Sequence, residues 1–281
     1  MSIDPSALVA RISAETGLDF VQSGRRLGEG GQTYRFQPAH HPPAHTFTLN
    51  VEVGWRSVEM AFQPGNFAGE LLGAMGATDP NGRAVFMSVL RSSLEGGAQI
   101  ALKLNGADRA FDDPAIWTIH WQSMRLSMRK GMLPISDSHS DAELVGTWVS
   151  RLAAAILALL PLEADESLDL INSAETVTGL PEGDKLTVKV NRYERDRRNR
   201  AAALAIHGHV CKACDVDMGR HYGKAASGLI EVHHTTPVSE LGPNYIIDPR
   251  IDLLPLCPNC HAVAHRRNPP YTLAELRDFL R

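Results

Sequence analysis

Two Cys-x-x-Cys pairs, Cys211-Lys-Ala-Cys214 and Cys257-Pro-Asn-Cys260, hold all four cysteines of the chain and are separated by 42 residues. A two-residue gap suits one metal knuckle better than a crosslink, and two knuckles supply the four thiolates of a closed tetrahedral zinc site. Such a site leaves no open position for substrate, so its predicted role is to fix a small fold. Residues 211–214 and 257–260 must therefore meet in space.

Histidines crowd the same segment. Glu231-Val-His233-His234 follows the apolar Leu229-Ile230 and reads as the end of a strand, while His261 and His265 follow the second knuckle directly. If that last stretch is helical, a spacing of four puts both imidazoles on one face. Two helical imidazoles and one from the strand could hold a second divalent ion with its other positions open, leaving the adjacent histidine to take a proton from water. On the residues alone, a second structural site or plain surface positions remain the alternatives. His207, His209 and His221 read as ordinary surface or loop residues.

The segment IEVHHTTPVSELGPNYIIDPRIDLLPLCPNCHAVAHRRNPPYTLAEL, with VNRYERDRRNRAAALAIHGHVCKAC before it, resembles the HNH endonucleases. These are the ββα-metal nucleases, and the likeness is to their McrA-like zinc-knuckle branch. It covers about residues 186–281. It implies that His233, His261 and His265 hold a catalytic divalent ion, Mg²⁺ or Mn²⁺, that His234 is the general base, and that Zn²⁺ sits on the four cysteines. The asparagine of the family name falls near position 252, where this chain has Asp252. A carboxylate can accept the hydrogen bonds of a loop brace but cannot donate an amide N–H. The implied reaction is hydrolysis of a DNA phosphodiester to 5′-phosphate and 3′-hydroxyl ends.

Charge supports a polyanionic partner for this part only. The whole chain carries a net charge of -4, but residues 191–281 hold 13 Lys+Arg against 10 Asp+Glu, and residues 1–190 hold 15 against 22. Arg195, Arg197, Arg198 and Arg200 precede the first knuckle, and Arg266 and Arg267 follow the last histidine. Together they are candidates for phosphate contact.

The predicted architecture is α+β: a strand-rich domain over residues 1–160, a linker over 161–190, and the small nuclease domain over 191–281. Pro5 near its start and Gly17 at its end delimit a first helix over 5–17. Period-two runs predict about five strands within residues 45–125, namely HTFTLNVEV, RSVEMAF, AVFMSVL, AQIALKL and AIWTIHW, with a helix around 67–76. The capping-box spacing Ser140-Asp-Ala-Glu143 opens a helix that runs to about Leu160. The acidic, turn-rich linker is expected to end in one strand.

A nuclease module this small has little surface for choosing a site, so the first 160 residues are expected to recognise DNA. Trp55, Trp117 and Trp121 are the aromatics that could sandwich an extruded base. Arg125, Arg129 and Lys130 form that domain's local basic cluster, with Arg125 and Arg129 on one face if helical. The first reading is a modification-dependent, type IV-like restriction endonuclease that reads 5-methylcytosine or 5-hydroxymethylcytosine in double-stranded DNA. The second is an HNH endonuclease acting on unmodified or structured DNA, with a partner-binding or dimerising first domain. A third, a zinc-knuckle DNA-binding protein without catalysis, is disfavoured by the intact histidines. Double-strand cleavage from one centre per chain implies a homodimer. The longest apolar run, Leu152 to Leu160, is short of the roughly 20 residues of a membrane span, and the N-terminus has no secretory pattern. The chain is thus expected in the cytoplasm, without a membrane partner.

Overall fold

The computed structural model describes residues 3–28, 31–133, 138–162, 197–236 and 245–281. Most of the expected linker, residues 163–190, and Arg195 lie outside the described residues. The fold is mixed α and β, built on an antiparallel sheet of seven strands.

The N-terminal part begins with α1 (Pro5–Thr16), whose cap residue Asp4 accepts from the Ser6 backbone N–H and whose end is closed by Gly17 at φ 67°. That left-handed geometry is one that glycine adopts without a Cβ clash. Strands β1 (Phe20–Gly28), β2 (Gly31–Pro38), β3 (Phe47–Val53) and β4 (Val58–Pro64) follow. Next come α2 (Gly69–Gly76), α3 (Pro80–Glu95), β5 (Ala98–Leu104), the short β6 (Ala107–Arg109), β7 (Met124–Lys130) and α4 (Ser138–Leu159). The sheet order is β1-β2-β3-β4-β7-β5-β6.

Alternation places the core. Leu49, Val51, Val58, Met60, Phe62, Leu126 and Met128 turn inward and are fully buried, while Arg125 and Arg129 turn outward. Helices α1, α3 and α4 cover the inner face. Residues 152–160 of α4 and its end are buried on every side, so this is a core helix. It is the one described helix long and apolar enough to cross a bilayer, and 72% of that stretch is buried inside the protein.

Several local expectations are corrected. AVFMSVL lies inside α3: Asp79 caps the helix on the Gly82 N–H, Pro80 opens it, and Val85, Phe86, Val89 and Leu90 bury one helical stripe. AIWTIHW is not a strand. Asp113 and Pro114 start a 3-10 turn, and the Trp121 indole N–H donates back to the Ile116 carbonyl at 2.7 Å. Arg125 and Arg129 do share a face, but on strand β7 rather than on a helix. The hairpin β1–β2 was not predicted, because FVQSGRRLG has no apolar alternation and a bulge shifts its register between Gln22 and Gly24.

The C-terminal part holds α5 (Arg197–His207), α6 (Met218–Tyr222), the antiparallel pair β8 (Glu231–His234) and β9 (Leu253–Leu256), α7 (Pro258–Ala264) and α8 (Leu273–Asp278). The alanine-rich α5 serves three clusters. Ala201, Ala202 and Ala205 join the large core, Leu204 packs with the cysteines, and Ala203 packs with Ile247 and Leu253. Small side chains let one helix approach all of them closely.

Candidate metal centre

The four cysteines come together. Their sulfurs lie within 4.8 Å of one another, and Cys214 Sγ stands 3.8 Å from Cys257 Sγ. A disulfide needs about 2.05 Å, whereas a zinc tetrahedron with Zn–S near 2.3 Å has edges of about 3.8 Å. The site is built from two turns. At the first knuckle the Cys211 carbonyl accepts from Asp215 N–H, and the Lys212 N–H ties it to Pro255 of β9. At the second, Cys257 caps α7 on the Cys260 N–H with Pro258 in the first turn, so Cys260 returns toward Cys257. Burial and neighbouring thiols push the Cys260 thiol well up. Four sulfurs this close cannot all ionise unless a cation neutralises them, and a structural ion such as Zn²⁺ does that.

Helix α7 then carries the chain to the histidines. His261 lies one turn after Cys257, and His265 stands at the helix end, where its backbone N–H bonds the His261 carbonyl. Strand β8 brings His233 against both. Ring centroids are 5.4 Å apart for His233–His261, 5.0 Å for His233–His265 and 4.6 Å for His261–His265, and one ring nitrogen of each lies within 4.8 Å of the others. His233 is 5% exposed, and its Nδ1 is buried with no hydrogen-bond partner among the described residues. Burial first, and then the imidazoles of His265, His261 and His234, pull its pKa down to about 4. A neutral imidazole with a buried, unsatisfied nitrogen beside two others is the donor set of a divalent transition ion.

Glu231 was quoted in the sequence but given no role. Its carboxylate accepts from Nδ1 of His261, which leaves Nε2 as the nitrogen that could ligate an ion. The signal was legible: positions two apart on a strand share a face, so Glu231 and His233 both meet α7. His234, the next residue, is buried but stands outside the imidazole trio. Asp252 is also outside it. Its carboxylate accepts from the Tyr245 hydroxyl at 2.9 Å and the Asp248 N–H at 2.8 Å, and its carbonyl accepts from Thr235 N–H at 2.8 Å. Asp252 therefore braces the turn against the residue that follows His234. Tyr245 and Asp248 are further positioning residues that the sequence reading did not name.

The candidate DNA contacts divide. Arg266 is exposed. Arg267 is committed elsewhere: its guanidinium grips both oxygens of Glu275 at 2.9 and 3.0 Å and lies 4.2 Å over the Tyr271 ring. Arg198 bonds Asp79 and the Leu160 carbonyl, and Arg197 reaches the Gly17 carbonyl, so these two fasten α5 to the N-terminal helices. Arg200 donates to the Ile230 carbonyl. Trp121 is fully buried and stacked on Trp117 at 5.3 Å, and a Cβ on Gly76 would meet its ring at 2.8 Å. Trp117 packs edge-on against Phe86. Trp121 is core, held there by hydrophobic burial and its bonded indole N–H, while the partly buried Trp117 packs against that core. His209, expected to be incidental, bonds the buried Glu15 at 2.7 Å.

No protein-family model matches the chain, and no curated protein matches it in sequence.

Proposed function

We propose that this chain is a metal-dependent endonuclease of the HNH, ββα-metal type, hydrolysing DNA phosphodiesters. The observation that carries this reading is the meeting of His233, His261 and His265 between a two-stranded ribbon and a short helix, with His234 beside the trio and a four-cysteine cluster at its base. A divalent ion held by the three imidazoles would polarise a phosphate and stabilise charge on the leaving 3′ oxygen. The donor set is softer than Mg²⁺ prefers, so Mn²⁺ or a later first-row ion fits it better.

His234 supplies the base. Its neutral imidazole takes a proton from water, and the water oxygen forms the new bond to phosphorus. The bond to the 3′ oxygen breaks, and that oxygen takes a proton from solvent water, giving a 5′-phosphate and a 3′-hydroxyl. Asp252 holds the turn that flanks His234 through the Thr235 backbone. Glu231 orients His261.

The N-terminal part selects the DNA, and we propose modified cytosine as its target. A second reading, cleavage of unmodified DNA, is favoured by one observation: Trp121 is fully buried and stacked on the partly buried Trp117, so the pair offers no base sandwich. One experiment separates the two. A plasmid carrying unmodified cytosine, 5-methylcytosine, 5-hydroxymethylcytosine or phosphorothioate is incubated with Mg²⁺, Mn²⁺ or chelator, beside His234→Ala. Cutting confined to a modified form establishes the restriction reading. Equal cutting of all four leaves a general nuclease, and no cutting with any ion rejects the enzyme.

A further inference from the structure

We infer that duplex DNA docks on the open face of the seven-stranded sheet, with its phosphates on Arg35 and Arg125 and a base contact at Trp55. This deepens the nuclease reading and rests on it.

The inner face of the sheet is covered by α1, α3 and α4, while the outward positions stay exposed or half-exposed among the described residues. The register defines what that face presents. Across its middle run Arg35, Asn50, Ala61, Ser127 and Ala101, each directly opposite the next. Asn50, Ala61, Ser127 and Ala101 are short, so a bulky backbone can approach the pleat closely. Arg125 lies directly opposite Lys103, whose ammonium is already held by Asp108 at 3.5 Å, so the Arg125 charge is the one left for a polyanion. Arg129, about 13 Å from Arg125 along the strand, stands directly opposite Glu59 and is offset by it. Arg35 and Arg125 are both exposed, and the residues directly opposite them, Asn50 and Lys103, carry no carboxylate. Cations of this kind fit the sugar–phosphate backbone and carry no sequence information.

The β3–β4 turn adds a different chemistry. Trp55 is 85% exposed with the Arg56 guanidinium 5.8 Å over its ring, and Met132 is 86% exposed on a neighbouring segment. That segment is tied to the turn by the Leu133 N–H on the Arg56 carbonyl at 3.1 Å. Large apolar side chains left in water side by side mark a contact surface. Glu52 and Glu59 stand opposite one another next to this turn, which repels phosphate there. The backbone therefore runs nearer Arg35 and Arg125, and the tip is left for a base. An exposed ring beside a cation stacks on a base or wedges a base step.

The test is a titration of the full chain against a fluorescein-labelled duplex carrying 5-methylcytosine, without added divalent ions and over a range of salt. Arg35→Ala and Arg125→Ala should each lower the slope of log affinity against log salt by about one. Trp55→Ala should weaken binding about tenfold with the slope unchanged. A double variant of Arg35 and Arg125 that binds with the parent's affinity and slope overturns the inference, while plasmid cleavage by that variant leaves the nuclease reading standing. Failure of the parent both to bind and to cleave DNA rejects the two together. Sedimentation of the parent with phosphatidylserine vesicles, lost in Trp55→Ala and without DNA binding, would assign the tip to a lipid surface and reject the docking face.

Discussion

The carboxylate of Glu231 hydrogen-bonds Nδ1 of His261, so strand β8 supplies one imidazole of the candidate metal centre and orients another. Strand and helix are thereby tied together by a side-chain contact as well as by any ion they share. Because the two groups come from different elements, their pairing also reports that β8 and α7 are docked.

Removing that brace should weaken the site without dissolving it. Glu231→Gln is expected to lower Mn²⁺ affinity by about 10- to 100-fold, the usual cost of losing a partner that orients a ligating histidine. Calorimetric titration of the zinc-loaded protein measures this. Zinc content should stay unchanged, and unaltered Mn²⁺ affinity would remove Glu231 from the site.

The four-cysteine cluster predicts one tightly held zinc per chain. Structural zinc in small units contributes about 10–16 kcal/mol of apparent binding free energy at neutral pH, more than a hairpin and two short helices can gain by burial alone. Cys214→Ser should lose the ion and melt β8, β9 and α7. Metal analysis together with amide exchange of residues 253–264 checks both effects, and an ordered hairpin in the metal-free protein would refute the structural role.

His234 and His233 should part company under mutation. His234→Ala is expected to lose about two to four orders of magnitude in cleavage rate, the range of a positioned general base, with Mn²⁺ affinity nearly unchanged. His233→Ala should lose both. Parallel losses of affinity in the two variants would place His234 among the ligands instead.

Asp252 is an acceptor, and its substitutions should rank accordingly. Asp252→Asn keeps one carbonyl oxygen for the Asp248 N–H or the Tyr245 hydroxyl and should fold stably. Asp252→Ala leaves both donors unanswered in a half-buried setting and should cost about 1–3 kcal/mol. Denaturant melts of the zinc-loaded protein rank the two.

Glu275 sets a pH window for α8. The Thr272 backbone N–H first, then Arg267 and the Thr272 hydroxyl, hold its carboxyl down at about 2 against an ordinary 4.5. A lowered folded-state pKa means the stabilisation is whole above 4.5 and is lost as pH falls from there toward 2. Glu275→Gln should therefore flatten the parent's extra loss of Tm across that acid range. Zinc release in acid is common to both proteins, so the difference between the two Tm profiles is the measurement. Identical profiles would mean that the contacts of Glu275 with Thr272 and Arg267 at the start of α8 contribute nothing.

Much of the metal chemistry was legible in the chain itself. Cysteines three apart in each pair and histidines four apart on a helix are local facts, and the backbone geometry of a knuckle or a helical turn is enough to predict which of them face together. Helix α1 and strands β3, β4 and β5 were equally local, since caps and period-two burial mark them. The misreadings share a cause. AVFMSVL and AIWTIHW are dense in apolar residues, and a short dense run has no distinct period until a neighbour decides which face is wet. Asp79 with Pro80, and the Ile116 carbonyl reached by Trp121, made those decisions. Solvent exposure divided the arginines and tryptophans in the same way. Arg267 and Arg198 read as cations for a partner, yet Glu275 and Asp79 hold them. Trp121 read as a surface aromatic, yet it fills the core, while Trp55 stands in water. Charge and ring type belong to the residue and can be read along the chain. Whether a side chain is already satisfied depends on residues far away in sequence, which only the tertiary fold brings near.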